Sequence, residues 1–216
     1  MTVSYPLTMP TTPAFVSQQW STIRGTGMSE SPFTGGQQTV EFAYAKWKAV
    51  LTLPPMRRPQ ASAWTAFFAK LHGRRGTFLL GDQDAKVPQI NKVTAGTITG
   101  TVTLSSNADV GDTVLNISAT KDDGSGGTTS YTTDFKAGDY IQLGSSSSAR
   151  LYMVVADQSG GSTIQVEPKL KTAVTNGSTV TYDSPKGLFR MDSNELMWDT
   201  NAVSVYGISF SCSEAD

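Results

Sequence analysis

The residues best suited to chemistry in this chain are few: one histidine, one cysteine and a handful of closely spaced aspartates. His72 is the only histidine, so zinc sites built on several imidazoles are excluded, and a Ser-His-Asp triad would have to work from a helix end. Its simpler role is to meet the negative end of a helix dipole. Cys212 stands alone, which rules out an intrachain disulfide and any multi-cysteine metal site. Asp82 and Asp84 have the alternate spacing of calcium loops, but the downstream glycine and glutamate are absent, so they read as a solvated turn. Asp122 and Asp123 sit in a Gly/Ser-rich loop. Arg24-Gly25-Thr26-Gly27 begins like a phosphate loop but lacks the third glycine, a strong preceding strand and a following helix, and it reads as a turn. No carboxylate pair stands out for sugar hydrolysis. No catalytic, cofactor-binding or metal-binding residue is assigned, and a non-enzymatic protein is expected.

Composition points the same way. Seventeen basic residues face eighteen acidic ones, a formal charge of −1, so no global field draws the chain to nucleic acid or acidic lipid. Only 16% of residues are charged, while Thr, Ser and Gly abound, as in a β-rich protein with many turns. The N-terminus lacks a basic start and a continuous apolar run, and no segment approaches the roughly twenty apolar residues that cross a bilayer. A soluble, unprocessed chain without membrane insertion is expected.

The positioning elements are most legible between residues 39 and 80. In the first strand Val40, Phe42 and Tyr44 share one parity while Trp47, Ala49, Leu51 and Leu53 share the other. The apolar face therefore switches sides near Ala45, which calls for a bulge or a second packing partner. Pro54 and Pro55 end the strand, Pro59 suits a first helical turn, and Gly73 is the natural stop, giving one helix at about 59–72. Ala61, Trp64, Phe67, Phe68 and Leu71 fall within an arc of roughly 120° on that helix. Trp64, Phe67, Phe68 and Leu71 are the expected core anchors. No Ser, Thr, Asp or Asn precedes Pro59, so the helix start is poorly capped.

Residues 1–20, with Pro6, Pro10 and Pro13, suit an extended arm docked on a neighbour. Residues 23–38 are turn-rich and read as a loop or crossing. From 93 to about 182 the texture is short β runs, at 97–104, 113–117, 140–143, 151–155, 163–167 and 179–182, the cadence of a small barrel or sandwich. KDDGSGGTTS and GSSSSA are flexible-loop compositions. Beyond Pro185 the runs GLFRM, ELMWD and SVYGISFSC resemble the opening region. The expected fold class is mainly β: a β-sandwich domain made of residues 1–90 and 186–216 with one α-helix, and an inserted β-barrel-like module, OB-like or sandwich, at 91–185.

Arg57–Arg58 and Arg74–Arg75 flank the helix and form a basic edge for an acidic partner or a neighbouring subunit, or else solvated heads on packed stems. Tyr44, Lys46, Trp47 and Lys48, at the face switch, are further expected interface residues. Tyr131, Tyr140 and Tyr152 in the second module are candidate glycan contacts, which keeps a carbohydrate-binding β module open as an alternative.

The run WKAVLTLPPMRRPQASAWTAFFAKLHGRRGTFLLGD, followed by FKAGDYIQLG, RLYMV, GLFRM and VYGISFS, resembles the distal tail proteins of siphophages and related prophages. The resemblance is strongest over 47–82. Where that family commonly has a capping Thr before the helix, this chain has Arg57–Arg58. The resemblance implies a virion structural protein at the distal end of the tail, made in the host cytoplasm, with no cofactor. It implies a homo-hexameric ring that joins the tail tube protein to the tail-tip hub protein, with the second β module facing outward, where a host-surface glycan is one partner. Another tail-tube or minor tail component is the neighbouring alternative. A closed ring would remove sheet edges through head-to-tail contacts.

Overall fold

A computed structural model describes residues 3–93, 98–158, 161–195, 197–200 and 205–215. In chain order the strands and helices are β1 (Ser17–Glu30), β2 (Gln37–Thr52), β3 (Met56–Arg57), α1 (Arg58–Leu71), β4 (Thr77–Leu80), α2 (Gln89–Val93), β5 (Thr101–Leu104), β6 (Val114–Asp122), β7 (Thr128–Tyr131), β8 (Tyr140–Leu143), β9 (Arg150–Val154), β10 (Thr163–Glu167), β11 (Val180–Thr181), β12 (Gly187–Met191), β13 (Trp198–Thr200) and β14 (Val205–Glu214). The molecule is mainly β, with two antiparallel sheets. One has the order β1-β2-β14-β12-β4, with β3 and β13 also on β14. The other has the order β11-β8-β9-β10-β6-β5, with β7 on β6. Leu104 N donates to Ser178 O at 2.9 Å and Thr103 bridges Thr179, so the second sheet almost closes on itself like a barrel. Thr97 and Leu196, at the ends of expected apolar runs, lie outside the described residues.

One face of the first sheet holds its core. Trp47, Ala49 and Leu51 of β2, Phe210 and Cys212 of β14, Phe78 of β4 and Phe189 of β12 are buried there. α1 covers one end of this face, as its aromatic stripe requires: Phe68 and Phe210 rings lie 4.9 Å apart, Phe67 and Phe78 5.7 Å apart. Trp64, Phe67, Phe68 and Leu71 are all buried. Barrel strands β8 and β9 cover the other end. Trp47 and Tyr140 rings are 5.6 Å apart, and Leu151 joins the same core. Alternation along β9 serves both cores: Leu151 faces the first, Tyr152 and Val154 the second.

The chain leaves the first sheet after β4 and returns at β12, and these two strands are neighbours, with Leu80 opposite Gly187. The intervening segment thus begins and ends at one point of the sheet edge, the arrangement that lets a module be accommodated between paired strands.

Three local expectations differ from what is observed. α1 ends on His72 rather than on Gly73: the His72 backbone is left-handed at φ 51° and its N–H donates to Ala69 O. Gly73 follows with φ 65°, and a Cβ there would lie 2.9 Å from the Asn194 backbone, so the glycine is needed for the close approach. The N-terminal segment is docked within its own chain. Leu7 N donates to Thr77 O at 2.8 Å and the Tyr5 hydroxyl to Lys70 O, while Phe15 packs on Trp64, so the segment straps its own sheet.

The third difference is the largest. Residues 23–30 are not a loop but part of β1, paired with β2 along its whole length as a long hairpin arm. The turn-like glycines belong to the strand because aromatic rings from β2 lie over them. A Cβ on Gly25 would stand 3.3 Å from the Phe42 Cβ and 3.5 Å from that of Tyr44. The register shifts there: Arg24 faces Ala45 but Thr26 faces Glu41, so three residues of β2 oppose Gly25 alone.

Candidate interaction surfaces

The shift in the arm decides which way its apolar residues point. Inserting two extra residues keeps the parity, so Val40, Phe42 and Tyr44 stay on the side of Lys46 and Lys48, away from the core. They are 50%, 58% and 47% exposed, and Phe33 at the tip is 96% exposed. The opposite side of the arm is tied to the barrel by ion pairs, Arg24 with Glu167 at 3.3 Å and Lys169 with Glu41 at 3.8 Å. Such exposed pairs each contribute at most about 1 kcal/mol, so they orient the arm more than they stabilise it. The outward side of the arm therefore carries a row of large apolar groups that stay about half exposed.

The expected interface residues divide. Tyr44 lies on this outward row, with the Lys46 ammonium 5.0 Å from its ring centroid. Lys48 is held near Asp192 at 3.7 Å. Trp47 must be corrected: it is 3% exposed, and its indole N–H donates to Leu151 O at 2.9 Å. Its odd parity places it under the barrel, where it fastens the two sheets within one chain. Arg57, Arg58, Arg74 and Arg75 are exposed, and among the described residues none of them forms an ion pair.

The tyrosine platform also needs correction. Tyr152 is 1% exposed and its hydroxyl accepts from Lys171 N at 3.4 Å. Tyr140 packs into the first core beside Trp47, and burial raises its pKa, with Asp82 adding to the effect. Tyr131 hydrogen-bonds the Thr99 backbone and rests against the second core. The three rings serve three different packing sites, and no shared face presents them to a sugar.

The closely spaced aspartates serve local structure. Asp82 accepts from Asp84 N at 2.9 Å, and Asp123 accepts from Ser125 N and Gly127 N, so both acidic pairs close turns. Among the described residues no group of three His, Cys, Asp or Glu side chains is placed to hold a metal ion, and no helix is long and apolar enough to cross a membrane. Cys212 is fully buried. Burial pushes its thiol far above the ordinary range, the Asp192 charge adds to this, and a hydrogen bond with the Ala49 backbone opposes it. A disulfide reagent at pH 8 is therefore expected to leave the native thiol untouched and to titrate one equivalent after denaturation. Comparable native and denatured rates would show that this core opens readily.

Some important groups gave no signal in the sequence. Glu214 is 3% exposed, yet it accepts from Trp47 N at 3.1 Å and pairs with Lys171 at 2.8 Å. It lies in the alternating pattern of β14 where an apolar residue would be expected.

Compared with known proteins, the chain matches no family model, and no curated protein is significantly similar to it.

Proposed function

We propose that this chain is a non-enzymatic structural protein that assembles head to tail with copies of itself through the β1–β2 arm. Combined with the resemblance over 47–82, the reading becomes a distal tail protein: a ring seated between the tail tube and the tail-tip hub, at the end of a phage tail. The observation that carries it is the outward row Val40, Phe42 and Tyr44, with Phe33 at the tip, on an arm that extends past its own core. Apolar residues gathered on one long projection, and not scattered singly, mark an interaction surface. A ring subunit needs one strand that fills its own core at the base and presents apolar groups to a neighbour farther out, and β2 has both halves.

Sedimentation and native mass measurement test the reading. The wild-type chain is expected to form a closed oligomer. Phe33→Asp with Phe42→Asp is expected to weaken association by at least ~100-fold, because two large side chains, each contributing about 1.5–3 kcal/mol on burial, are lost from the contact. The melting temperature of the monomer should change little, since both side chains are exposed in it. A wild-type chain that stays monomeric at ~100 μM and is missing from purified particles would sink the proposal. Copy number per particle separates this role from that of a tail-tube protein, which stacks in many copies.

A further inference from the structure

Beside α1 a groove of about 230 Å³ is lined by Phe68, Ala69, Met191 and Trp198, with Asn194 and Glu195 among its polar walls. Phe68 and Met191 are buried and give it an apolar floor, while Trp198 is half exposed. A cavity of about 150 Å³ already takes a benzene ring, so this one has room for a single phenyl side chain. Gly73 lines it too, and the next residue is tied to it, since Arg74 N donates to Asn194 Oδ1 at 3.1 Å. Arg74 and Arg75 therefore stand beside the groove, exposed and without an ion pair among the described residues, against the one carboxylate of Glu195. An apolar slot next to two free arginines suits an aromatic side chain with an acid beside it, the pairing from which strong contacts are built.

The chain carries such a piece at the tip of its own arm. Phe33 is almost wholly exposed there, and Glu30, three residues before it, is exposed with its carboxylate near no cation, only Gln37 Nε2 at 3.3 Å. The tip is held in shape. Ser31 N donates to Gly36 O and Gly35 N to Ser31 O, both at 2.9 Å, and Phe33 N donates to Ser31 Oγ at 3.4 Å, so an anchor ring is presented at reduced entropic cost. β2 runs from this tip for 16 residues, roughly 50 Å at ~3.3 Å per residue, and ends at Thr52 opposite Ser209. β3 and β13, which flank the groove end of α1, join β14 at Val205–Ile208, beyond that point. Tip and groove thus stand at opposite ends of one long strand, and no chain can fill its own groove. A contact between two such unlike patches is head to tail, the kind that closes into a ring. Given the head-to-tail assembly proposed above, on which this site depends, the geometry points to the groove beside α1 as the receptor for the arm of a second copy: Phe33 enters against Phe68 and Trp198, and Glu30 meets Arg74 and Arg75.

Sedimentation of full-length variants tests the site. Ala69→Tyr fills the groove from an exposed helix position, and it should weaken self-association about tenfold or more without lowering the melting temperature. Glu30→Arg, and separately Arg74→Glu with Arg75→Glu, should each weaken it by a similar factor, and less so at high salt. The three changes together restore opposite charges and should recover most of the loss, which a merely structural role for any of these residues would not produce. Crosslinking gives a second measurement: a chain with Thr34→Cys mixed with a chain with Ser193→Cys should be joined by a short bis-maleimide severalfold more than either chain with itself, and Phe33→Asp in the first chain should abolish the product. Wild type serves as the blank, because Cys212 is buried. If wild type assembles and Phe33→Asp with Phe42→Asp prevents it, while Ala69→Tyr and the arginine variants assemble normally, the arm docks elsewhere: the groove assignment falls and head-to-tail assembly stands. A wild-type chain that stays monomeric overturns both. Folded Ala69→Tyr that assembles normally but is lost from purified particles also overturns the assignment, and makes the occupant a different protein.

Discussion

Phe210→Ala is expected to destabilise the chain by about 3–5 kcal/mol, because the ring stands at the centre of an aromatic cluster whose surroundings cannot collapse into the space. Phe210 lies 4.9 Å from Phe68, 6.1 Å from Phe15, 6.4 Å from Trp64 and 6.5 Å from Phe78. Those four rings come from α1, from the N-terminal strap and from β4, so the loss would loosen three elements together. Denaturant melts should show the midpoint falling, and for a chain of this size the melting temperature should fall by roughly 10 °C. Phe210→Leu should cost less than half as much, since it keeps part of the volume. A loss below ~1 kcal/mol for the alanine variant would mean that α1 does not depend on this face of the sheet for its position. That dependence is built into the helix: Arg57 at its start provides no side-chain cap and its first turn has no acidic residue, so packing must supply what capping does not.

The second large effect belongs to the buried pair that joins the sheets. Glu214→Met removes both the counter-charge of Lys171 and the acceptor of the Trp47 amide, and about 3 kcal/mol of stability should be lost. Glu214→Gln keeps an acceptor and should lose less. In the double variant Glu214→Met/Lys171→Met no uncompensated charge is left, so part of the loss should return. Recovery should stop short of wild type, because the Trp47 N–H still lacks a partner, a deficit of about 1–3 kcal/mol. A double-mutant cycle by urea unfolding measures this directly, with a coupling of about 0.5–3 kcal/mol expected. Additive losses would show that the two charges act independently and that other contacts, those of Trp47, Tyr140 and Leu151 among them, hold the barrel to the sheet.

Both predictions concern the junction where one sheet face is shared between a helix and a barrel, and this is also where reading the sequence was least able to reach. The helix was legible because its burial pattern repeats every three to four residues and is interrupted at both ends by proline and glycine; α1 spans Arg58–Leu71. Strands such as β8 and β10 were legible because short alternating runs stand between turn residues. The arm was only half legible. Trp47 and Tyr44 are three residues apart on one strand, with apolar rings of similar size, and nothing local says which of them is covered. The cover for Trp47 is Leu151, 104 positions away. The glycines of β1 read as turns for the same reason: a glycine in a strand looks like a turn unless the ring that lies over it, from the paired strand, is known.

The sequence by itself determined where the amphipathic helix runs and that the chain is mainly β, because composition and local period record which residues must be hidden. The tertiary structure decided which side of β2 is filled and which faces outward. It also buried Tyr152 and Glu214. Those outcomes depend on pairing between strands far apart in the chain, and alternation along one strand is symmetric: it marks two faces without saying which of them will find a cover.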